Sequence, residues 1–300
     1  MKSGIVAIIG RANVGKSTLL NNLVGEKVAI VSPIPQTTRN QIRAILNEKR
    51  GQIVFLDTPG MHVSKHALDR AMISAINDSL SGVDVVLHLV DATERVGEEE
   101  QMVIERLMRV RAPIILGLNK IDRGTGHIQD YLDAWQRKIG ADLSSVTGRI
   151  MPIPLSALAG TNLDRLLDEL FSRLPEGEAL YPPDILTDFP RQLTIQDVIR
   201  EKLLCYLREE IPFSLGVYAE EIADRSEKLT YVRALILVER DSQRKIVIGK
   251  KGEVMKKAGE AARKDLENIY EKKFYLDLWV KVEQHWKEDT ELLRRMGYIN

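Results

Sequence analysis

Residues 10–17 read Gly10-Arg11-Ala12-Asn13-Val14-Gly15-Lys16-Ser17, between a short apolar run at 5–9 and a helical pattern starting near Lys16. A strand that ends in a GxxxxGK[ST] loop and continues as a helix constrains this chain more than any other feature. It calls for a parallel α/β layer with a ligand at the carboxyl end of the strand. Gly10 and Gly15 let the backbone amides curl inward around phosphates, and the helix start adds its positive end. Lys16 is expected to reach the β and γ phosphates, Ser17 to ligate Mg²⁺, and Thr18 to line the same turn. The ligand class is a nucleoside triphosphate.

The surrounding pattern agrees. Apolar, β-branched runs at 5–9, 52–57, 83–91, 114–119 and 150–155 alternate with helical periodicity at 16–23, 67–80, 98–110, 128–139 and 162–174. This predicts a doubly wound α/β domain over residues 1–174. Residues 41–47 and 52–57 flank Lys49-Arg50-Gly51 as a hairpin, so one antiparallel strand is expected at the edge of a mostly parallel sheet. Pro175, Pro182, Pro183 and Pro190 then crowd a stretch without periodicity, read as a linker over 175–193. From 194 to 300 the rhythm changes. A helix at 194–210, strands at 215–222 and 231–239, a turn, a helix at 252–270, a strand at 274–282 and a last helix form a small α+β module. Three hundred residues with 44% hydrophobic content supply enough apolar material for two such cores.

Four further boxes follow the phosphate loop in the order a guanine nucleotide site requires. Asp57-Thr58-Pro59-Gly60 caps the strand at 53–56, placing Asp57 to hold Mg²⁺ through water and the Gly60 amide to face the γ phosphate. Asn119-Lys120-Ile121-Asp122 ends another buried strand. The Asp122 carboxylate can accept from the ring N–H and the exocyclic amino group of guanine, donors that adenine lacks on that edge. Ser156-Ala157 is expected to add a backbone amide for the guanine carbonyl. Thr37 and Thr38 lie in the loop before the edge strand, where one hydroxyl completes the Mg²⁺ shell only with the γ phosphate present. Thr38, directly before Arg39, is the favoured one.

Forty-three basic and forty-three acidic residues cancel, so affinity for nucleic acid has to come from a local patch. Gly249-Lys250-Lys251-Gly252 supplies one: a GxxG loop at a helix start, followed by Lys256 and Lys257 and opposed by few acids. Such a loop can clamp roughly four nucleotides of single strand. The same charges also fit a solvated helix face with intrahelical ion pairs. Val254, Ala258, Ala261, Leu266 and Ile269 are expected to line the buried side of that helix. The aromatics Tyr270, Phe274, Tyr275, Trp279 and Trp286 read mostly as core. Cys205, the one cysteine, lies among Leu203, Leu204 and Leu207 and is expected to be a buried core residue without a disulfide. No N-terminal signal is expected, because the apolar stretch after Lys2 runs into the phosphate loop. The longest membrane candidate, 83–90, is broken by Asp84 and His88. The expected location is cytoplasmic.

The ordered set Gly10 to Ser17, Thr38, Asp57 to Gly60, Asn119 to Asp122 and Ser156-Ala157 resembles a translation-factor-class small GTPase. One departure matters. Met61 follows Gly60 where Ras-like proteins carry a water-orienting glutamine, and His62 reads as a loop residue more readily than as a base. Asn13 occupies the position at which Era-type GTPases ligate a monovalent cation, so K⁺ beside the phosphates is expected to spread the transition-state charge. The plainer reading of Asn13, satisfaction of loop backbone groups, stays open.

With the Pro-rich linker and an αββααβ-type KH-like (type II) module behind a P-loop GTPase domain, the chain resembles the Era family over essentially its full length. The resemblance implies GTP/GDP and Mg²⁺ as ligands and slow hydrolysis stimulated by K⁺, with Lys16, Thr38 and Asn13 contributing to the chemistry. It further implies binding of small-subunit (16S-type) ribosomal RNA near the 3′ end through residues 249–252, 256 and 257, in service of small ribosomal subunit assembly and maturation. A weak peripheral contact at the inner membrane face comes with the family, although no amphipathic anchor is visible, and a monomer is expected. The residues alone show a GTPase carrying an RNA clamp. Two other readings stay open: an RNA-binding chaperone with structural GTP, and a GTPase whose C-terminal domain docks a protein.

Overall fold

The computed structural model describes residues 1–32, 34, 37–60, 66–141 and 148–299. By internal contacts the chain divides into two units. The first is Met1–Ala29, Thr38–Ser64 and Met72–Asp188; the second is Ile30–Thr37, Lys65–Ala71 and Phe189–Asn300.

In the first unit β1 (Lys2–Ile9), β2 (Ile42–Glu48), β3 (Gly51–Asp57), β4 (Val85–Asp91), β5 (Ile114–Asn119) and β6 (Ile150–Pro154) form a sheet in the order β2-β3-β1-β4-β5-β6. Only β2 runs antiparallel, paired with β3 from Ile42↔Asp57 to Glu48↔Gly51. This matches the expected edge hairpin. Every residue of β3, β4 and β5 is buried, as a parallel sheet covered on both faces requires. The helices are α1 (Lys16–Val24), α2 (Ala67–Ser79, of which residues 67–71 count with the second unit), α3 (Glu98–Leu107), α4 (Ile128–Ile139) and α5 (Leu163–Arg173). Strand β3 pairs on one side of β1 and β4 on the other, so the strand order reverses where the phosphate loop emerges.

Residues 175–188 are pinned to this unit. Leu186 O accepts from Ile45 N at 2.8 Å, Pro183 O from Asn47 Nδ2 at 3.0 Å, and Gln52 Oε1 from the amides of Leu180 and Tyr181 at 2.7 and 2.9 Å. An outer strand such as β2 presents unpaired backbone groups along its open side, and this segment answers some of them.

In the second unit α6 (Arg191–Leu204), α7 (Ile211–Ser214), β7 (Gly216–Ser226), β8 (Leu229–Val238), α8 (Asp241–Ile248), α9 (Glu253–Tyr270), β9 (Lys273–Val282) and α10 (Thr290–Arg295) follow in order. The sheet runs β7-β8-β9, with β8 antiparallel to β7 and parallel to β9. Its inner face, with Val217, Val232, Ala234 and Ile236, packs with Ile199 and Leu266 in one core.

Four expectations change here. The stretch read as a turn before the GxxG loop contains α8, capped by Gln243, whose Oε1 accepts from the amides of Glu239 and Arg240 at 2.9 and 3.2 Å. Its charged sequence hides a short helix whose buried residues are only Gln243 and Val247. In α9 the fully buried row is Ala258, Ala262 and Leu266, an i, i+4, i+8 line, so Ala262 and not Ala261 faces the core. The helix read as 194–210 starts at Arg191 and ends at Leu204, which leaves Cys205 exposed, its thiol donating to Glu201 O at 3.4 Å. Cys205 keeps helical backbone angles, φ −63° and ψ −26°, with its N–H on Glu201 O, but Leu203, Leu204 and Leu207 take the buried positions and its own side chain falls on the solvent side. Finally, Tyr275 and Trp279 are not core: they alternate with Phe274 on β9 and are 61% and 59% exposed. Tyr275 stacks on Tyr231 with centroids 5.9 Å apart. Among the described residues no helix is long and apolar enough to cross a membrane.

Candidate functional site

The loop after β1 wraps around its own lysine. Lys16, only 6% exposed, donates Nζ–H to the carbonyls of Gly10 at 3.0 Å and Arg11 at 2.7 Å. Burial pulls its pKa down to about 8, against the favourable charges of Asp57 and Glu100. Gly15 has φ 102°, and a Cβ there would sit 2.5 Å from Asn119 Nδ2, so shape and dihedral both demand glycine. Asn13, exposed, also takes a left-handed φ of 62°, which asparagine tolerates. Thr18 follows Ser17 in the first turn of α1.

Three oxygen side chains from three segments meet beside Lys16. Ser17 Oγ donates to Asp57 Oδ2 at 2.7 Å, and Thr38 Oγ1 lies 3.0 Å from Ser17 Oγ. Since the serine proton goes to the carboxylate, Thr38 is the donor of that pair. Thr37 instead donates to Ile34 O at 2.5 Å, so Thr38 alone of the two threonines faces Ser17. Asp57 is fully enclosed, and its Oδ1 has no hydrogen-bond partner among the described residues. Burial raises its pKa, opposed by Lys16 and by the bonds from Ser17 and Thr58. A buried, unmatched carboxylate oxygen beside two hydroxyls is an all-oxygen set suited to a hard cation. Among the described residues no group of three or more His, Cys, Asp or Glu side chains gathers as a metal cage, so these oxygens would hold Mg²⁺ together with phosphate and water. Gly60 lies against Ala12 of the loop. Met61 and His62 lie outside the described residues.

At the end of β5, Asn119 is a brace. Its Nδ2 donates to Val14 O at 2.7 Å and its Oδ1 accepts from Ala157 N at 2.8 Å, tying the phosphate loop to the 156–157 turn. Lys120, at φ 66°, sends Nζ to Asp91 Oδ2 at 2.5 Å. Asp122 remains exposed and accepts from Ser156 Oγ at 2.5 Å. The carboxylate is thus aimed by a buried serine while staying open to a base. Asp91 escaped the sequence reading, although an acid closing an apolar strand directly before Ala92-Thr93 is a signal of the same kind as Asp57.

In the second unit the GxxG loop bridges two helices. Gly249 ends α8 at φ 74°, Lys250–Gly252 form one 3-10 turn, and Gly252 at φ 78° opens α9. A Cβ on Gly249 would lie 2.6 Å from the Val254 side chain. Lys250, Lys251, Lys256 and Lys257 are all exposed. Lys257 pairs with Glu253 at 2.6 Å and Arg263 with Glu267 at 3.0 Å, the intrahelical pairs of a solvated face. Among the described residues no ion pair ties down Lys250, Lys251 or Lys256.

A family model described as a 50S ribosome-binding GTPase matches residues 5–120, and a KH domain model matches residues 215–287. The protein called GTPase Era from Halothermothrix orenii is 44% identical over 298 residues, covering 99% of this chain and 98% of the relative; GTPase Era from Trichlorobacter lovleyi is 44% identical over 299 residues with the same coverage. The chain belongs to the Era GTPase family. Two solved Era structures superpose with a TM-score of 0.90 at 38% identity over 100% of both chains. One is Era with MgGDPNP and nucleotides 1506-1542 of 16S ribosomal RNA; the other is a variant of Aquifex aeolicus Era bound to GDP and AlF4⁻. Within the Era frame both units of this chain are accounted for: a P-loop GTPase fold, then a KH fold whose extra helix α8 supplies the αββααβ order.

Proposed function

We propose that this protein is a GTP-hydrolysing switch whose KH unit grips small-subunit, 16S-type ribosomal RNA and releases it according to the nucleotide, assisting small-subunit assembly. Residues 1–174 bind and hydrolyse GTP, and residues 194–300 bind RNA. Lys16 steadies the β and γ phosphates, Ser17, Thr38 and Asp57 hold Mg²⁺, and Gly10, Gly15, Thr18 and Gly60 line the phosphates. Asp122, aimed by Ser156 and supported by Asn119, Lys120 and Ala157, selects guanine. Bound Mg²⁺ neutralises charge on the phosphates. With no glutamine after Gly60, Asn13 would be the residue that holds K⁺ beside the phosphates, where the ion would supply further positive charge. Gly249, Lys250, Lys251, Gly252, Lys256 and Lys257 hold the RNA backbone.

The observation that carries the switch is the course of the chain at Thr37. Residues Ile30–Thr37 cluster with the second unit, and the first unit resumes at Thr38. Buried Arg200 of α6, paired with Asp197 at 3.0 Å, donates to Thr37 O, one peptide from the hydroxyl at Ser17. A second such segment, Lys65–Ala71, is held by Glu288, which accepts from His66 Nδ1 at 2.8 Å and Ala67 N at 3.2 Å. Thr37 and Thr38 are consecutive residues, so a nucleotide-dependent change at the Thr38 hydroxyl and the carbonyl that Arg200 holds concern the same short stretch of chain.

The family model named for the 50S subunit and the 16S RNA bound by the solved relative point to different subunits. The relative spans the whole chain, KH unit included, and carries more weight. The site of action is the cytoplasm, as a monomer, with any membrane contact peripheral. The test measures affinity for a 3′-terminal 16S fragment with a GTP analogue, with GDP and without nucleotide. The switch predicts a difference of roughly five-fold or more between the first two. Equal affinity in all three states would leave a chaperone with structural GTP, and no RNA binding would leave a protein-docking module.

A further inference from the structure

One set of buried polar side chains lies outside all the nucleotide motifs. His88 in β4, Glu100 in the first turn of α3 and Trp135 in α4 are each fully enclosed. Trp135 Nε1 is 3.3 Å from His88 Nδ1, and His88 Nε2 is 2.7 Å from Glu100 Oε1. Glu100 Oε2 is 2.8 Å from Arg11 Nε, and Arg11 Nη2 reaches Tyr131 Oη and Glu94 Oε2, each at 3.3 Å. The chain of contacts thus ends on the second residue of the phosphate loop.

Its polarity is determined. An indole N–H can only donate, so His88 Nδ1 is a bare acceptor and the imidazole proton sits on Nε2, pointing at Glu100. Arg11, which also can only donate, takes the other carboxylate oxygen. Burial alone would raise the Glu100 pKa, but the bond from His88 and the Arg11 charge outweigh it and hold the group below its ordinary value. Glu98 and Glu99, its neighbours in the first turn of α3, are exposed and suit the helix dipole; Glu100 differs by pointing inward. Arg11 meanwhile faces two ways. Its guanidinium is held by α3, while its carbonyl accepts from Lys16 Nζ at 2.7 Å.

We propose that Glu100 is a positioning residue for GTP hydrolysis: acting through Arg11, it holds the first half of the phosphate loop, Asn13 included, in the arrangement the transferred phosphate needs. The inference rests on the GTPase reading above and adds a helix that the GTPase motifs do not include. A loop whose curl depends on a buried, fully matched acceptor is preorganised, with no rearrangement left for the moment of reaction.

Glu100→Gln tests it with one atom. Turning the amide oxygen to Arg11 sets its N–H against the His88 N–H, and turning it to His88 sets it against Arg11. Moving the imidazole proton to Nδ1 sets that proton against Trp135. The expected result is a fall in kcat of roughly ten- to hundred-fold, with the Kd for GDP changed by less than about three-fold. Adding Trp135→Phe to Glu100→Gln frees the imidazole to shift its proton and recovers at least about three-fold of the lost kcat, whereas Trp135→Phe alone leaves hydrolysis unchanged. If Glu100→Gln does not fold, Tyr131→Phe removes one acceptor from Arg11 and lowers kcat about two- to five-fold at unchanged GDP affinity. Nitrogen-15 NMR of the wild type should find His88 protonated on Nε2. Wild-type kcat in both Glu100→Gln and Tyr131→Phe, parallel loss of kcat and GDP affinity without rescue, or a proton on His88 Nδ1 would each overturn the proposal. Wild-type turnover is measured alongside: its absence would sink the GTPase reading on which this inference rests, whereas wild-type turnover that the variants leave unchanged would sink the role of Glu100 alone.

Discussion

Lys16 and Lys250 each follow a glycine with a left-handed φ, and each is assigned to phosphate, yet their surroundings are opposite. Lys16 is buried, with two carbonyls on its ammonium and a fully enclosed carboxylate near by. Lys250 stands in solvent on a single 3-10 turn without an ion pair among the described residues. The first site has its charges fixed before the ligand arrives, which suits one small, defined nucleotide and a reaction. The second leaves charge and backbone accessible, which suits a polymer bound by counterion release and varied along its length. Burial makes the nucleotide site intolerant of small changes, whereas exposure makes the RNA loop graded.

That contrast can be broken by substitution, and the largest effect belongs to the buried lysine. Lys16→Ala should lower GTP turnover by roughly a thousand-fold, because it removes the cation the loop is wrapped around; turnover within about ten-fold of wild type would show that the enclosure is structural only. Asp122→Asn should cost roughly a hundred-fold in GTP affinity and erase most of the preference for guanine over adenine, since an amide cannot accept both guanine donors. Competition binding with GTP and ATP reads it. On the exposed side, Lys250→Ala with Lys251→Ala should weaken RNA binding about ten-fold in low salt. The slope of log K against log salt should fall by about 1.4, at about 0.7 for each single-strand phosphate no longer neutralised. An unchanged slope would mean that neither lysine touches the RNA. The smallest effect is expected at Cys205: as an exposed thiol it should react with a thiol reagent in the native protein at the rate of a free cysteine, with no loss of folded signal. Protection from the reagent would return it to the core.

Legibility followed the same divide. The phosphate loop, the edge hairpin and the acid-capped strands were readable because each rests on local chemistry: glycines at fixed spacing, alternating apolar runs, and a carboxylate where a strand stops. Thr38 and Thr37 are adjacent and chemically equal, so only the hydrogen bond at Ser17 separates them. Helix α8 is not legible in sequence, because its eight residues carry too few apolar positions to show a period. Tyr275 and Trp279 read as core in sequence but are exposed, because an aromatic on a strand does not by itself tell which face is covered. Glu100 was invisible for another reason. In sequence it belongs to a run of three acids at a helix start, and nothing local separates it from Glu98 and Glu99.

A P-loop fold, a guanine-type nucleotide box set and a KH-like module are legible in the residues alone, because they depend on backbone dihedrals, periodicity and donor–acceptor chemistry that are written residue by residue. Packing between distant segments selects the threonine that meets Ser17, makes both ends of the Asn119 amide a brace, and binds Arg11 to an enclosed Glu100. Those facts arise where separate strands and helices end close together, so burial and partner choice are properties of the packed chain and not of any segment within it.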